Sequence, residues 1–419
     1  MNKWSNLYQW SLLITAALVP SGLHQLAIVS VAFSGVCWLA QKRFSSLSIL
    51  RSEPQFLFSI LFYLYVCAGA FFSINHGDAL SSLSVYLPLI LYPIFIGHSG
   101  IISRSLIRKA ELFFAVSTIL SLVIMIAYAT GDYLITGQIM IRDEDNQFNK
   151  FTYYGLTRVF GHYHPTYAAM FVNHSIVILV RLAYEYYQQK EKRSTAICLL
   201  SLGFLTVGLI LLNSMIGLLT LLLLLVHYSF TLMKKIGFSM VLRSSLKVLF
   251  VLLSFGFLYY NPLKLAKLES LRTRKLIITD NFTERNLLTI RLAKWDTHLS
   301  IISRYFWFGT TEGDIKAIRK EAYLEKGFND LALHNYNAHN QYLEVFANFG
   351  LIGFLIFSAM IVSAYLRKRW MHFKLFMLII MVAWLTESTL ELSQGFNYFM
   401  FFFALYTAPL LSDNSKENG

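Results

Sequence analysis

One histidine, His339, stands where a polar cluster meets a long apolar run. Asn340 and Gln341 follow it directly, and most residues after them are hydrophobic. We expect His339 at the N-terminus of a membrane-spanning helix, where the helix dipole disfavours an imidazolium. A neutral imidazole close to water can accept a proton, so His339 is a candidate general base. The alternative is that His339 only anchors the helix at the membrane interface.

Two glycines lie on the same predicted span. Gly350 follows Asn340 after nine intervening residues, and Gly353 comes three positions later. Because neither carries a side chain, they allow another helix to approach closely. We therefore predict a structural role for both.

A second polar stretch precedes another predicted span. Arg158 and His164 lie just before Pro165, a residue that favours the first turn of a helix. The pair His162 and His164 has no cysteine or carboxylate nearby and makes a poor metal site. Arg158 and His164 are expected at the outer mouth of the span, where they either bind a sugar or phosphate or anchor the interface.

Two glutamates, Glu387 and Glu391, are four residues apart near the end of an apolar run. At this spacing they share one face of a helix and repel each other unless they face water or a cation. Glu387 is expected to orient an arginine, to bind a sugar hydroxyl, or only to solvate the helix end, since a carboxylate in a membrane is costly.

The elements that position these residues follow from composition. The chain has 419 residues, of which 56% are hydrophobic and only 14% charged, with a mean hydropathy of +0.53. Soluble domains are about 25% charged, so these values indicate a polytopic membrane protein. Runs long enough to cross a bilayer as helices predict an all-α protein with about twelve spans, at 7–22, 24–40, 55–74, 79–98, 111–130, 165–184, 195–212, 214–233, 245–260, 341–365, 373–389 and 395–412.

The distribution of charge predicts the orientation. The net charge is +13, and most of the 36 Lys and Arg residues fall in segments that are cytoplasmic if the N-terminus is cytoplasmic. Their excess therefore indicates anionic lipid rather than nucleic acid. We divide the chain into transmembrane helices 1–9 (1–260), a large periplasmic loop with amphipathic helices at 284–305 and 311–327 (261–340), transmembrane helices 10–12 (341–412) and a cytoplasmic tail (413–419).

The His339 motif resembles that of bacterial O-antigen ligases and the related polysaccharide polymerases. The spacing of His339, Asn340, Gly350 and Gly353 matches that family, and a large outer loop precedes the histidine as it does there. In the family an arginine followed four residues later by a tryptophan lies in this loop, and Arg291 and Trp295 match it. The resemblance makes Arg291 a clamp for pyrophosphate, with Arg285 a second candidate. A guanidinium fork pairs two phosphate oxygens; otherwise Arg291 snorkels or pairs with an acidic neighbour.

The chain departs from the family at one position. Relatives carry a Ser-Arg pair at the outer start of a mid-chain span, whereas Met215 follows Ser214 here. A thioether cannot neutralise a phosphate, so another cation substitutes, Arg158 being the best placed by topology, or substrate handling differs.

The resemblance implies a GT-C-like glycosyltransferase of the bacterial inner membrane, with its active site facing the periplasm. Such an enzyme transfers a preassembled glycan from undecaprenyl diphosphate to lipid A–core. It inverts the anomeric carbon and uses no metal or other cofactor. His339 is then catalytic, whereas substrate is bound by Arg291, Arg158, Asn340, Gln341, Trp295, His164, Arg285 and Glu387. No nucleotide-binding motif is present, in keeping with a lipid-linked donor. The alternatives are a polymerase, which uses a second lipid-linked repeat as acceptor, and a transporter or flippase of the lipid-linked glycan.

Overall fold

The computed structural model describes residues 3–41, 52–143, 146–161, 163–236, 287–368 and 370–411, together with residues 239 and 245. These residues are almost entirely helical. The principal helices are α1 (Lys3–Leu18), α2 (His24–Gln41), α3 (Pro54–Phe72), α4 (His76–Gly97), α5 (Arg104–Thr136), α6 (Tyr153–Thr157), α7 (Pro165–Gln188), α8 (Lys192–Leu212), α9 (Met215–Ile236), α10 (Leu287–Arg304), α11 (Ile315–Glu325), α12 (Asn329–His334), α13 (Gln341–Arg367), α14 (Met371–Trp384) and α15 (Ser393–Thr407).

Within the described ranges, seven helices are long and apolar enough to cross a membrane: α3, α4, α5, α7, α8, α13 and the segment Met215–Lys234 of α9. The chain is therefore a multi-pass membrane protein. Shorter apolar helices occupy Gln25–Gln41 and Met371–Trp384. The predicted span 245–260 lies outside the described residues, and the total of twelve spans stays a prediction.

The observed elements differ from the predicted spans in several places. α5 has 33 residues, about 50 Å at 1.5 Å per residue, so it extends well beyond the predicted span 111–130. α4 changes geometry at Pro88 and Pro93, where it continues as a short π-helical turn, because proline removes a helix hydrogen bond. The segment after α5 contains a β-hairpin, which an all-α prediction omits. Its strands β1 (Met140–Asp143) and β2 (Asn146–Asn149) pair antiparallel.

Contacts divide the chain into two compact units. The first comprises residues 1–121, 291–377 and 384–419. Within it, α15 is buried along nearly its whole length from Gly395 to Thr407, and its Phe402 ring meets Phe114 of α5 edge to face. In the same unit α3 packs along α13, where Phe62 contacts both Phe349 and Phe357. Aromatic packing thus fixes the helix that begins after His339.

The second unit comprises residues 122–290 and 378–383, as far as they are described. Its central helix, α7, packs against α8 and α9 and is buried over most of its length. The buried Asn173 side chain donates hydrogen bonds to Ala169 O and Gly217 O, at 2.9 and 3.0 Å. Such a bond between helices fastens α7 to α9 where water is absent.

Candidate functional site

The His339 turn is held by the start of α13. Asn340 is the N-cap of this helix, and its Oδ1 accepts hydrogen bonds from the N–H groups of Tyr342 and Leu343. The buried Gln341 side chain accepts a hydrogen bond from Leu390 N at 2.7 Å. The structure thus gives both residues positioning contacts, and their expected contact with substrate stays a prediction.

His339 adopts a backbone conformation that is uncommon for a residue with a side chain. Its φ is 45°, in the left-handed region. Its N–H donates to Asn337 Oδ1 at 3.0 Å, and the preceding N–H, of Ala338, donates to Glu344 Oε2 at 2.9 Å. Two side chains therefore impose this turn, and such imposed conformations cluster at functional sites.

The imidazole pairs with Glu387. His339 Nδ1 lies 3.0 Å from Glu387 Oε1, and the Glu387 side chain is nearly buried. An ionised carboxylate only accepts hydrogen bonds, so Nδ1 carries the proton and donates a hydrogen bond to Glu387. This tautomer leaves Nε2 with its lone pair, on a side chain that is 26% exposed. The pair can orient a general base and stabilise its protonated form.

Glu387 and Glu391 do not share a helix face, contrary to the sequence-based interpretation. α14 ends at Trp384, and Thr389–Glu391 form a separate turn of 3-10 helix. The break separates the two carboxylates, so Glu387 contacts His339 whereas Glu391 contacts Asn337. Both glutamates thereby support the same turn from the α14–α15 connection.

A buried charge network underlies this turn. Glu344 accepts a hydrogen bond from Arg319 Nη1 at 3.0 Å, and its second oxygen lies 3.4 Å from His298 Nε2. Arg319 also donates from Nε to Asn335 Oδ1 at 2.9 Å. The side chains of Glu344, His298 and Arg319 are almost completely removed from water. Buried charges persist only when paired, so this network ties α10, α11 and α13 together beneath His339.

Glu391 completes the network beside Glu344 and Arg319. Its removal from water and the neighbouring Glu344 carboxylate raise the pKa of Glu391 well above its usual range. Arg319 Nη1 lies 3.8 Å from Glu391 Oε1 and opposes this shift. Two adjacent carboxylates cannot both ionise cheaply, so Glu344 favours the protonated form of Glu391.

α10 presents cations beside the His339 turn. Trp295 Nε1 donates to Ala338 O at 3.1 Å and so attaches α10 to this turn. Arg291, one turn earlier, makes no hydrogen bond or ion pair with any residue that the structure describes. Arg291 is half-buried and is therefore available to an anionic ligand. Trp295 thus positions α10 against the His339 turn, and Arg291 lies on the same helix.

Lys294 lies on the same helix and is only 5% exposed. Its Nζ lies 4.1 Å from the centre of the Tyr336 ring. Burial lowers the pKa of Lys294 to about 8; Glu387 raises it and Arg291 lowers it further. Lys294 therefore interacts electrostatically with Glu387, which pairs with His339, and with Arg291, which is predicted to bind phosphate.

Gly350 is where a loop crosses α13. Its φ is 61°, and it breaks the helix. A Cβ at this position would lie 2.4 Å from Gly309 N. The gap in the helical bonding is filled by Leu351 N, which donates to Phe306 O at 2.8 Å, and by Thr310 N, which donates to Ala347 O at 3.0 Å. The close neighbour of Gly350 is thus a loop rather than the expected second helix.

Gly353 does lie against another helix. A Cβ there would be 2.9 Å from the Tyr65 ring of α3. Tyr65 OH donates to Phe349 O at 3.0 Å. The two glycines of the motif therefore have separate tasks: one admits the loop after α10, the other admits α3.

The remaining predicted site residues belong to the second unit or fall outside the described ranges. His164 caps α7, with Nδ1 accepting from Thr166 N at 3.2 Å. Arg158 lies 4.0 Å from Asp132 and 6.0 Å from the Tyr128 ring centre. Met215 begins α9 and is exposed. Arg285 lies outside the described residues. Substrate binding by these residues stays a prediction.

Sequence reasoning missed the residues Lys294, His298, Arg319 and Glu344. A signal for Lys294 was its spacing from Arg291, since residues three apart are neighbours on a helix. Arg319 and Glu344 carried no local signal, because they meet only after α11 folds against α13.

One known family model covers part of this site. Residues 199–358 match the family model described as O-antigen ligase. The matched region includes Arg291, Trp295, His339 and both glycines, whereas Glu387 lies beyond it. No curated protein matches the chain. The predicted family resemblance is confirmed.

Proposed function

We propose that this chain, whose residues 199–358 carry the O-antigen ligase domain, transfers a preassembled glycan from undecaprenyl diphosphate to a sugar hydroxyl of lipid A–core. The reaction takes place at the periplasmic face of the inner membrane. The observation that carries the proposal is the His339–Glu387 pair, 3.0 Å between Nδ1 and Oε1, on a turn attached to the helix of Arg291.

His339 acts as the general base. Its Nε2 takes the proton of the acceptor hydroxyl while the hydroxyl oxygen attacks the anomeric carbon. The bond from that carbon to the diphosphate oxygen breaks, and its electron pair leaves with undecaprenyl diphosphate. Attack opposite the leaving group inverts the configuration. Glu387 stabilises the imidazolium that forms, as an ionised carboxylate does for a histidine base.

Arg291 binds the diphosphate. Negative charge on the leaving oxygen grows as the glycosidic bond breaks, so a fixed guanidinium stabilises the transition state more than the ground state. Its position one turn before Trp295 keeps it near the His339 turn. The chain's own groups thus supply a base for the nucleophile and a cation for the leaving group.

Transfer by purified protein in nanodiscs tests the proposal. The wild type is expected to transfer glycan from undecaprenyl diphosphate to lipid A–core. His339→Ala should fold and bind donor but lose roughly 10²–10⁴-fold in kcat, the usual contribution of a general base. Retained transfer by His339→Ala would remove the histidine from catalysis.

The choice of acceptor separates the ligase from the polymerase. In the same assay, a second lipid-linked repeat replaces lipid A–core. Extension of the lipid-linked glycan with no product on lipid A–core would establish a polymerase instead. Absence of transfer to either acceptor by the wild type would overturn the proposed function.

A further inference from the structure

We propose that Lys294 is a second cation that binds the donor diphosphate, beside Arg291 on α10. The inference rests on the proposed function, and it identifies a binding residue that the sequence pattern did not mark.

The first argument is that the Lys294 ammonium is buried without a direct ion pair to any residue that the structure describes. Its side chain is 5% exposed, yet among the described residues it forms no ion pair within 4.0 Å and no hydrogen bond. Its Nζ faces the Tyr336 ring, 4.1 Å from the ring centre. A buried ammonium without a carboxylate is costly. Contact with an aromatic face offsets only about 0.5–2 kcal/mol of this cost. Binding of an anionic ligand would account for the burial of the ammonium.

The second argument is position. Lys294 follows Arg291 by three residues on α10, so their side chains lie on adjacent parts of one helix surface. Two like charges this close repel each other, as the lowering of the Lys294 pKa by Arg291 reflects. A diphosphate carries charge on two phosphoryl groups and removes this repulsion, because each cation faces its own group.

The third argument is the link to the chemistry. Glu387, which holds His339, also interacts electrostatically with Lys294. A diphosphate bound by Lys294 therefore lies within range of the pair that activates the acceptor. The other charged or titratable groups near Lys294 are Arg319, Asp330, Tyr336 and His298, whose Nδ1 lies 2.7 Å from Lys294 O.

The test compares Lys294→Met with Lys316→Met. Methionine keeps much of the volume of the lysine stem and removes its charge, so the buried position stays filled. Lys316 is an exposed lysine whose Nζ is 3.4 Å from Asp78, and it serves as the matched control. We expect Lys294→Met to raise the KM for the undecaprenyl-diphosphate donor about 10-fold or more, the worth of one charge-assisted hydrogen bond. The acceptor KM and the control should stay within about twofold of wild type.

Direct binding of geranylgeranyl diphosphate in nanodiscs, with inorganic diphosphate as competitor, separates this inference from the proposed function. If wild type and His339→Ala bind this probe and Lys294→Met binds it about 10-fold more weakly, the inference is supported. If Lys294→Met binds it as wild type does, the inference fails while the proposed function stands. If wild type transfers no glycan at all, the proposed function fails.

The pH dependence supplies a readout that a merely structural lysine would not give. Because the free-enzyme pKa of Lys294 is about 8, the ammonium is charged below that pH and loses its charge above it. Donor kcat/KM should therefore fall as pH rises through about 8, and Lys294→Arg, which stays charged, should lose this fall. A rise in acceptor KM alone for Lys294→Met, or an unchanged alkaline limb for a folded Lys294→Arg, would overturn the assignment.

Discussion

At the scale of single residues, the site depends on which nitrogen of His339 carries the proton. Glu387 decides this, because an ionised carboxylate can only accept a hydrogen bond, so Nδ1 is the donor at the 3.0 Å contact. The histidine alone would exchange between tautomers. The carboxylate therefore turns an interfacial histidine into an oriented base.

Glu387→Gln should reduce kcat by about 100-fold or more while leaving donor binding measurable. A glutamine amide can donate to Nδ1, which favours the tautomer with its proton on Nε2, and it cannot stabilise an imidazolium. Steady-state kinetics with both substrates measures the effect. The control is Glu321→Gln, an exposed carboxylate on α11; equal losses in both variants would contradict the role of Glu387.

Arg291→Lys should be impaired by roughly 10–100-fold in kcat/KM for the donor. A lysine keeps the charge but loses the planar fork that binds two phosphate oxygens. Arg304→Lys on the same helix is the matched control, since Arg304 forms an exposed pair with Glu325. Near-wild-type transfer by Arg291→Lys would show that the arginine only anchors α10.

At the scale of elements, the site depends on the interruption of α13. α13 starts at the His339 turn and is interrupted at Gly350, where the segment after α10 crosses it. The crossing aligns α10, which carries Arg291 and Lys294, with the start of α13. Apolar contacts between helices would not specify this register by themselves, because they tolerate small shifts along the helix axis. The backbone hydrogen bonds at the crossing do not tolerate such shifts.

Gly350→Ala should destabilise the protein by about 3 kcal/mol or more. The new Cβ would lie 2.4 Å from Gly309 N, and the φ of 61° is unfavourable for alanine. Thermal unfolding in detergent measures the loss. Gly203→Ala is the control, since nothing lies within 4 Å of its Cβ; an equal fall in Tm for both variants would contradict the crossing.

Arg319→Met should lower the free energy of unfolding by about 3–5 kcal/mol, because it leaves the buried Glu344 beside Glu391 without its cation. The exposed Arg304→Met is the control and should leave Tm almost unchanged. An Arg319→Met variant as stable as wild type would show that the network is dispensable.

At the scale of the whole molecule, the charge distribution predicts the orientation in the membrane. The junction of α7 and α8 carries Lys190, Lys192 and Arg193 and is predicted to be cytoplasmic, whereas α11 is predicted to face the periplasm. A base and a phosphate ligand on the periplasmic side can act only on a donor that has already crossed the membrane.

Cysteine labelling checks this orientation. In a chain with Cys37, Cys67 and Cys198 replaced by serine, Glu321→Cys should react with an impermeant maleimide in cells with a permeabilised outer membrane. Gln189→Cys should react only after lysis. Both positions are exposed, so accessibility is matched, and the reverse labelling pattern would invalidate the predicted topology.

Features that depend on neighbouring residues in the chain could be predicted from the sequence, whereas contacts between distant residues could not. Hydrophobic runs and basic connections are local features, so the sequence alone determined a multi-pass helical protein. The spacing of His339, Gly350 and Gly353 likewise indicated the resemblance to the O-antigen ligase family, whose model matches residues 199–358. Helices also occupy the stretches predicted to be amphipathic at 284–305 and 311–327, as Leu287–Arg304 and Ile315–Glu325.

Only the tertiary structure decided the chemistry around the histidine. Glu387 is 48 residues from His339 along the chain. The two side chains meet because α14 ends at Trp384 and Glu387 lies in the connection that follows. The pairing of Arg319 with Glu344 and the burial of Lys294 also arise from helices that meet after folding. A charge acquires its partner, its burial and its pKa from residues distant along the chain, so local spacing indicates which groups can react but not which groups they face.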